Sequence, residues 1–171
     1  MQNLNYKQTT YESCLSVALM QLLGIKPSRS KEINIWKSGW DFNFLIGQVN
    51  YVSNKYDKKI TICVENPLYL NDLKKQNSSY VSLIHKRIDS KLINSLLRYG
   101  KFIIYLDNYY IQKVTHAPHF ILIQKENKND YLISDPWDGK QKLINKKTIH
   151  KAVSSLRNHL KFSPIIIFEY C

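Results

Sequence analysis

The sequence predicts an α+β domain in which N-terminal helices pack on a mostly antiparallel C-terminal sheet. Two observations carry the prediction. Up to Lys101 the longer apolar patterns repeat every three to four residues, while beyond it the apolar residues fall mainly into runs of strand length. That segregation of helical from strand patterns argues against a regular βαβ alternation. The chain of 171 residues is long enough for one substantial core, and with five Gly, five Pro and no repeat or linker it reads as a single domain over 1–171.

Leu15, Ala18, Leu19 and Leu22 form one face of a helix of about three turns beginning near Ser13 or Cys14, with Gly24 as its stop and Pro27 beyond. Phe42, Leu45, Ile46, Val49, Val52 and Tyr56 mark a second helix, with Asp41 as its expected N-cap. Ile60, Ile62 and Val64 alternate with Thr61 and Cys63, the pattern of a short strand. From Pro67 to Arg87 the pattern is polar and fixes no element. Asp89 or Ser90 caps a third helix running to Tyr99, with Leu92, Ile93, Leu96 and Leu97 on its face and Gly100 as terminator. Strands are then expected at Phe102 to Leu106, Phe120 to Gln124, Tyr131 to Ser134 and Ile165 to Tyr170. One more helix, from about Thr148 to Leu160, carries Ile149, Ala152, Val153 and Leu156 on its apolar face.

Hydrophobic residues at 44% and charged residues at 22% are globular values and exclude a disordered chain or a coiled coil. No apolar run approaches the roughly 20 residues of a membrane span. Met1 to Thr10 lacks the apolar centre of a secretory signal, so a cytoplasmic location is expected. Cys14, Cys63 and Cys171 are an odd count at wide spacing, which argues against a disulfide framework and a zinc knuckle and leaves at least one thiol free. No metal or cofactor is expected. His116 and His119 have a spacing that holds a metal on a helix, and Pro118 between them forbids the helix. The formal charge of +12 is spread along the chain, with five basic and three acidic residues in 1–50, nine and four in 51–100, and eleven and six in 101–171. Without a basic arm, nucleic-acid binding is the less favoured alternative, even with twelve Tyr able to stack on bases.

Cys14 falls where the first helix begins, and a thiol there feels the unpaired N–H groups and positive pole of the first turn, both of which favour thiolate. An arbitrary lone Cys is more often a small buried hydrophobe; that is the expectation for Cys63, inside an apolar strand. For Cys14 a His and an Asp downstream supply the corroboration. If Gln124 pairs with Asp130 across the polar loop Lys125 to Asn129, His119 lies directly opposite Asp135, and the carboxylate fixes the imidazole. Pro118 and Pro136 hold both residues at strand ends.

Cys at a helix start, then His, then Asp on adjacent strands is the order of papain-like cysteine peptidases. The segment Gln8-Thr-Thr-Tyr-Glu-Ser-Cys14-Leu-Ser-Val-Ala-Leu-Met-Gln-Leu-Leu-Gly24, with His119-Phe120-Ile-Leu-Ile and Ile133-Ser-Asp135-Pro136, resembles the bacteriocin-processing peptidases that cut leader peptides after a double glycine. The resemblance implies a papain-like fold and assigns roles by position. Cys14 is the nucleophile, His119 the acid and base, Asp135 the group that holds His119, and Gln8 the oxyanion support. It also implies a peptide substrate cut after small residues such as Gly-Gly. Ser13 and Leu15 stand where that family usually has an acidic residue and Gly. Leu15 therefore puts a bulky side chain at the substrate cleft, and Trp137, two residues after Asp135, shields the His–Asp pair or lines the cleft. Trp36 and Trp40 are expected in the partial core, and His85, His150 and His159 at the surface. The alternatives are an inactive peptide-binding module, for which Leu15 speaks, and a deamidase or acyl transferase with the same triad.

Overall fold

A computed structural model describes residues 5–169. Cys171, and Tyr170 at the end of the last predicted strand, lie outside the described residues. The elements are α1 Cys14–Leu22, α2 Arg29–Lys37, α3 Phe44–Tyr56, β1 Ile60–Val64, α4 Pro67–Lys74, β2 Val81–His85 and α5 Ser90–Leu97, followed by β3 Phe102–Asp107, α6 Tyr109–Gln112, β4 Pro118–Asn127, β5 Asp130–Asp135, β6 Lys140–Asn145, α7 Lys146–Asn158 and β7 Ile165–Glu169. No helix among the described residues is long and apolar enough to cross a membrane.

The strands form one sheet in the order β2-β1-β7-β3-β4-β5-β6. Every pair is antiparallel except β1 with β2. A parallel pair needs a crossover, and α4 is that crossover. It starts where Asn66 accepts from the N–H groups of Leu68 and Tyr69 and Pro67 takes the first helical position, so the stretch without a clear pattern holds both a helix and a strand.

The fold is mixed α+β as expected, with helices on both faces of the sheet. Apolar residues of α1 to α4 pack with Ile60, Ile62, Ile103, Phe120 and Leu122 on one face. Those of α5, α6 and α7 pack with Phe102, Ile104, Ile121, Ile133 and Ile166 on the other. Double coverage is why β1 is buried at all five positions rather than at alternate ones.

Three local expectations are corrected. Asn43, not Asp41, caps α3, its side chain accepting from Leu45 N. The polar stretch Lys125 to Asn129 is not a loop, because β4 continues to Asn127 and the chain turns at Lys128 (φ 45°) and Asn129. The hairpin register is also different: Asn127 faces Asp130, Glu126 faces Tyr131 and Lys125 faces Leu132. Carried on unbroken, it would set Asp135 opposite Leu122 and turn it to the face away from His119. Instead a bulge leaves Gln124 unpaired, and Ile123 then faces Ile133 and Leu122 faces Ser134. Asp135 is thereby in step with Ile121, diagonal to His119 and on its face.

Candidate active site

The turn before α1 is built around a buried carboxylate. Glu32 of α2 accepts from Thr9 N (2.6 Å), Thr9 Oγ1 (2.9 Å), Ser13 Oγ (2.5 Å) and Tyr6 Oη (3.1 Å). Because Ser13 turns to Glu32, α1 has no side-chain cap and its first N–H groups are left to Cys14 and its surroundings. The same loop is tied to the far strand, where Gln8 N donates to Pro136 O at 2.8 Å. Gly139 (φ +69°) permits this approach, since a Cβ there would come within 2.7 Å of Lys7 N.

Cys14 is half-buried, and the His119 side chain, buried to 3% exposure, lies within hydrogen-bonding reach of its sulfur. His119 Nε2 donates to Asp135 Oδ1 at 2.8 Å. Asp135 Oδ1 also accepts from Trp137 N at 2.9 Å, and Asp135 Oδ2 accepts from Gln112 Nε2 and from Lys142 Nζ at 3.1 Å. Lys142 is bridged in turn to Asp138 at 2.7 Å. The fold therefore brings Cys14, His119 and Asp135 together, with His119 hydrogen-bonded to Asp135 and its ring beside the Cys14 sulfur.

The charges follow from these contacts. Burial works against a charged sulfur, but the hydrogen bond with His119, its charge and the N–H groups of Phe120 and Leu15 outweigh it and bring the Cys14 thiol below its ordinary value. Burial also disfavours an imidazolium, yet Asp135 and Cys14 push His119 up. Burial opposes ionisation of Asp135, while His119, the Trp137 N–H and Lys142 hold it down to about 2. A thiolate facing an imidazolium, itself held by an ionised carboxylate, can attack an electrophilic carbonyl and return a proton to the leaving group.

The remaining predicted residues flank these three. Gln8 Nε2 donates to Thr10 O and Tyr11 O, each at 2.9 Å, and its Oε1 is buried without a partner. Trp137 stands edge-on to His119 at 6.3 Å and to Tyr11 at 5.5 Å. Leu15 is buried and lines a cavity of about 400 Å³. Cys63 is buried, and burial pushes its thiol up to about 11. His85 and His159 are exposed, whereas His150 is half-buried with its ring edge-on to Tyr131 at 6.4 Å. Trp36 and Trp40 pair edge-to-face at 4.9 Å, and Trp40 is 59% exposed rather than in the core.

Sequence reasoning missed Gln112, Lys142 and Glu32. Lys142 sits two residues beyond Lys140, the partner of Asp135, so recognising β6 would have placed it near the carboxylate. Gln112 ends a four-residue helix that carries no periodic signal. Glu32 occupies a fully buried helix position, where an apolar residue is the usual occupant, so its charge reads as a surface residue.

No family model and no curated protein matches the sequence. A solved structure from Bacillus anthracis, described as a "putative C39-like peptidase", is similar over 97% of this chain and 93% of its own, with a TM-score of 0.59 and 7% identity. A likeness over nearly the whole of both chains at so low an identity is one of fold: this chain's mixed α+β arrangement, with its seven-stranded sheet, matches the fold of that structure.

Proposed function

We propose that the protein is a papain-like cysteine peptidase acting through Cys14, His119 and Asp135 within one domain spanning 1–171. The observation that carries this reading is the placement of the His119 ring between the Cys14 sulfur, which lies within its reach, and Asp135 Oδ1, which it bonds at 2.8 Å. The thiolate attacks the peptide carbonyl and forms the C–S bond. His119 gives its proton to the leaving amine as the C–N bond breaks, and the thioester is hydrolysed by a water whose proton returns to His119.

The oxyanion is met by the Cys14 N–H at the uncapped start of α1, with Gln8 beside it. In the resting arrangement both Gln8 Nε2 hydrogens are given to carbonyls, so the oxyanion has to win one of them from Thr10 or Tyr11. Such a donor contributes about 3 kcal/mol where it is free to act.

Intact-mass analysis after brief iodoacetamide treatment tests the nucleophile, and digestion of a library of unstructured peptides tests the reaction. One fast-labelled site, lost in Cys14→Ala, and cleavage lost in the same variant are expected. Peptide binding without products from wild type would move the reading to an inactive module. Conversion of Gln to Glu, or amine exchange, would move it to a deamidase or transferase.

A further inference from the structure

His116 lies in the loop before β4 and His159 at the end of α7, yet their rings meet at 4.6 Å and 59°. Both are exposed, and both are held from behind. His116 Nδ1 donates to Asp107 Oδ2 at 2.6 Å, and the ring stacks on Tyr109 at 4.3 Å. Burial opposes ionisation of Asp107, but the Ser155 hydroxyl, His116 and the Tyr109 N–H bring it below the ordinary carboxyl range. An ionised carboxylate only accepts, so Nδ1 carries the ring proton and Nε2 presents a lone pair. Ser155 serves both histidines. Its Oγ donates to Asp107 Oδ2 at 2.6 Å, and its carbonyl accepts from His159 N at 2.8 Å. Among the described residues, neither His116 Nε2 nor either ring nitrogen of His159 is hydrogen-bonded to the protein.

We propose that His116 and His159 are the two protein ligands of a site for a borderline divalent metal ion of the Zn²⁺, Ni²⁺ or Cu²⁺ class, bound through His116 Nε2 and a ring nitrogen of His159 and completed by water. The inference does not depend on the peptidase reading. The sequence spacing sets His116 against His119, where Pro118 forbids a helical pair; the fold gives it His159 instead. A carboxylate behind the ring is the usual backing of a metal-binding imidazole, because it fixes the tautomer and raises the basicity of the ligating nitrogen. An ion about 2.0–2.1 Å from each nitrogen keeps two imidazole centroids about 5 Å apart, so a small turn of the exposed His159 ring suffices. Imidazole donors favour these ions over Mg²⁺ and Ca²⁺, which take oxygen. No cluster of three or more His, Cys, Asp or Glu is disposed to hold an ion among the described residues, so the site relies on the pairing of two imidazoles. The ion would tie the 113–117 loop to the end of α7, across the Asp107 contacts that hold α6.

The test is titration calorimetry with ZnCl₂ on Cys14→Ala, in which the candidate catalytic thiol cannot compete for the metal. Zn²⁺ binding is expected, and adding His159→Gln should weaken it at least about tenfold, the loss that even an outer partner of a metal ligand causes. Gln removes the imidazole at an exposed position that makes no side-chain hydrogen bond, so the variant should fold as its parent does. MgCl₂ at the same concentrations should give no binding heat. Zn²⁺ should also slow amide exchange across 113–117 in Cys14→Ala and leave it unchanged once His159→Gln is added. Equal Zn²⁺ affinity with and without His159, equal binding of Mg²⁺, or exchange across 113–117 indifferent to Zn²⁺ would overturn the site.

Discussion

At Cys14 three groups converge on one sulfur, the His119 imidazole and the N–H groups of Leu15 and Phe120, and the pH dependence follows from them. With the thiol lowered, alkylation of Cys14 should persist well below the ordinary thiol value of about 8.5. Turnover, which needs an imidazolium to protonate the leaving amine, should hold until His119 loses its proton near 9 and fall above it. In His119→Ala burial is left without its main counterweight, and labelling should rise only toward and above the ordinary thiol range; identical profiles for the two proteins would remove His119 from the mechanism. Asp135 supplies a second prediction. Gln112 and Lys142 both bond its Oδ2, so each holds the carboxylate in the plane that receives His119 Nε2. Hydrogen bonds to charged groups contribute about 1.5–3 kcal/mol, and part of that loss should appear as orientation. Gln112→Ala and Lys142→Met should each lower kcat by about tenfold with KM little changed. A change in KM alone would place both residues in substrate binding. The proximity of Cys14, His119 and Asp135 was legible because Cys, His and Asp are distinctive residue types and here stand next to clear helix and strand boundaries. Gln112 and Lys142 are ordinary polar residues whose role exists only once the chain has folded.

Among the elements, α6 owes its existence to side chains around it, because four residues cannot sustain a helix and Asn108 gives it no side-chain cap. Asp107, fully buried, accepts from Tyr109 N at 3.1 Å, Ser155 Oγ at 2.6 Å and His116 Nδ1 at 2.6 Å. The His116 ring stacks on Tyr109 at 4.3 Å and closes the clamp. Gln112 is the last residue of the helix so held, and the clamp thus reaches Asp135 through it. Asp107→Asn keeps the shape and removes the charge; we expect faster amide exchange across 108–117 and a kcat loss in the direction of Gln112→Ala. Since both changes act on one contact, the double variant should lose less than the sum of the two. Strictly additive losses, or unchanged exchange, would show that α6 does not transmit the clamp. Elements of this kind explain the limits of the sequence. Helices with wide apolar faces, α1, α3, α5 and α7, and the buried strands were legible from spacing. By contrast, α2 buries only Glu32 and Ile35, and β6 is a polar edge strand, so neither raises a periodic signal. The Gln124 bulge is invisible for a related reason: a polar residue between two strand segments reads as alternation or as loop, and only the ladder itself reveals the unpaired position.

On the scale of the whole molecule, three acidic groups, Asp107 and Asp135 buried and Glu65 half-buried, tie the sheet as far as its edge strand to the helices of one face. Glu65, just past β1, receives two bonds from Arg157 of α7 at 2.7 and 2.8 Å, while Asp107 joins β3 to α7 and Asp135 joins β5 to β6 and α6. Burial opposes ionisation of each, yet Arg157 lowers Glu65, Ser155 and His116 lower Asp107, and His119 holds Asp135 down to about 2. A carboxyl whose value is lower folded than unfolded binds its proton more tightly in the unfolded chain. Its contribution is therefore complete above the ordinary carboxyl value of about 4 and is lost as pH falls toward 2. Because the three groups connect different layers, their protonation should loosen the molecule in one step rather than release a single element. The formal charge of +12 acts in the same direction, since each neutralised carboxylate leaves more repulsion among the 25 Lys and Arg. The urea midpoint should stay level from about pH 5 to neutrality and drop steeply below about pH 4. Asp135→Asn should start from a lower midpoint and fall less steeply, because one of the titrating groups is gone while the repulsion remains. A wild-type midpoint level down to pH 2, or a variant with the wild-type slope, would show that these carboxylates do not hold the layers together.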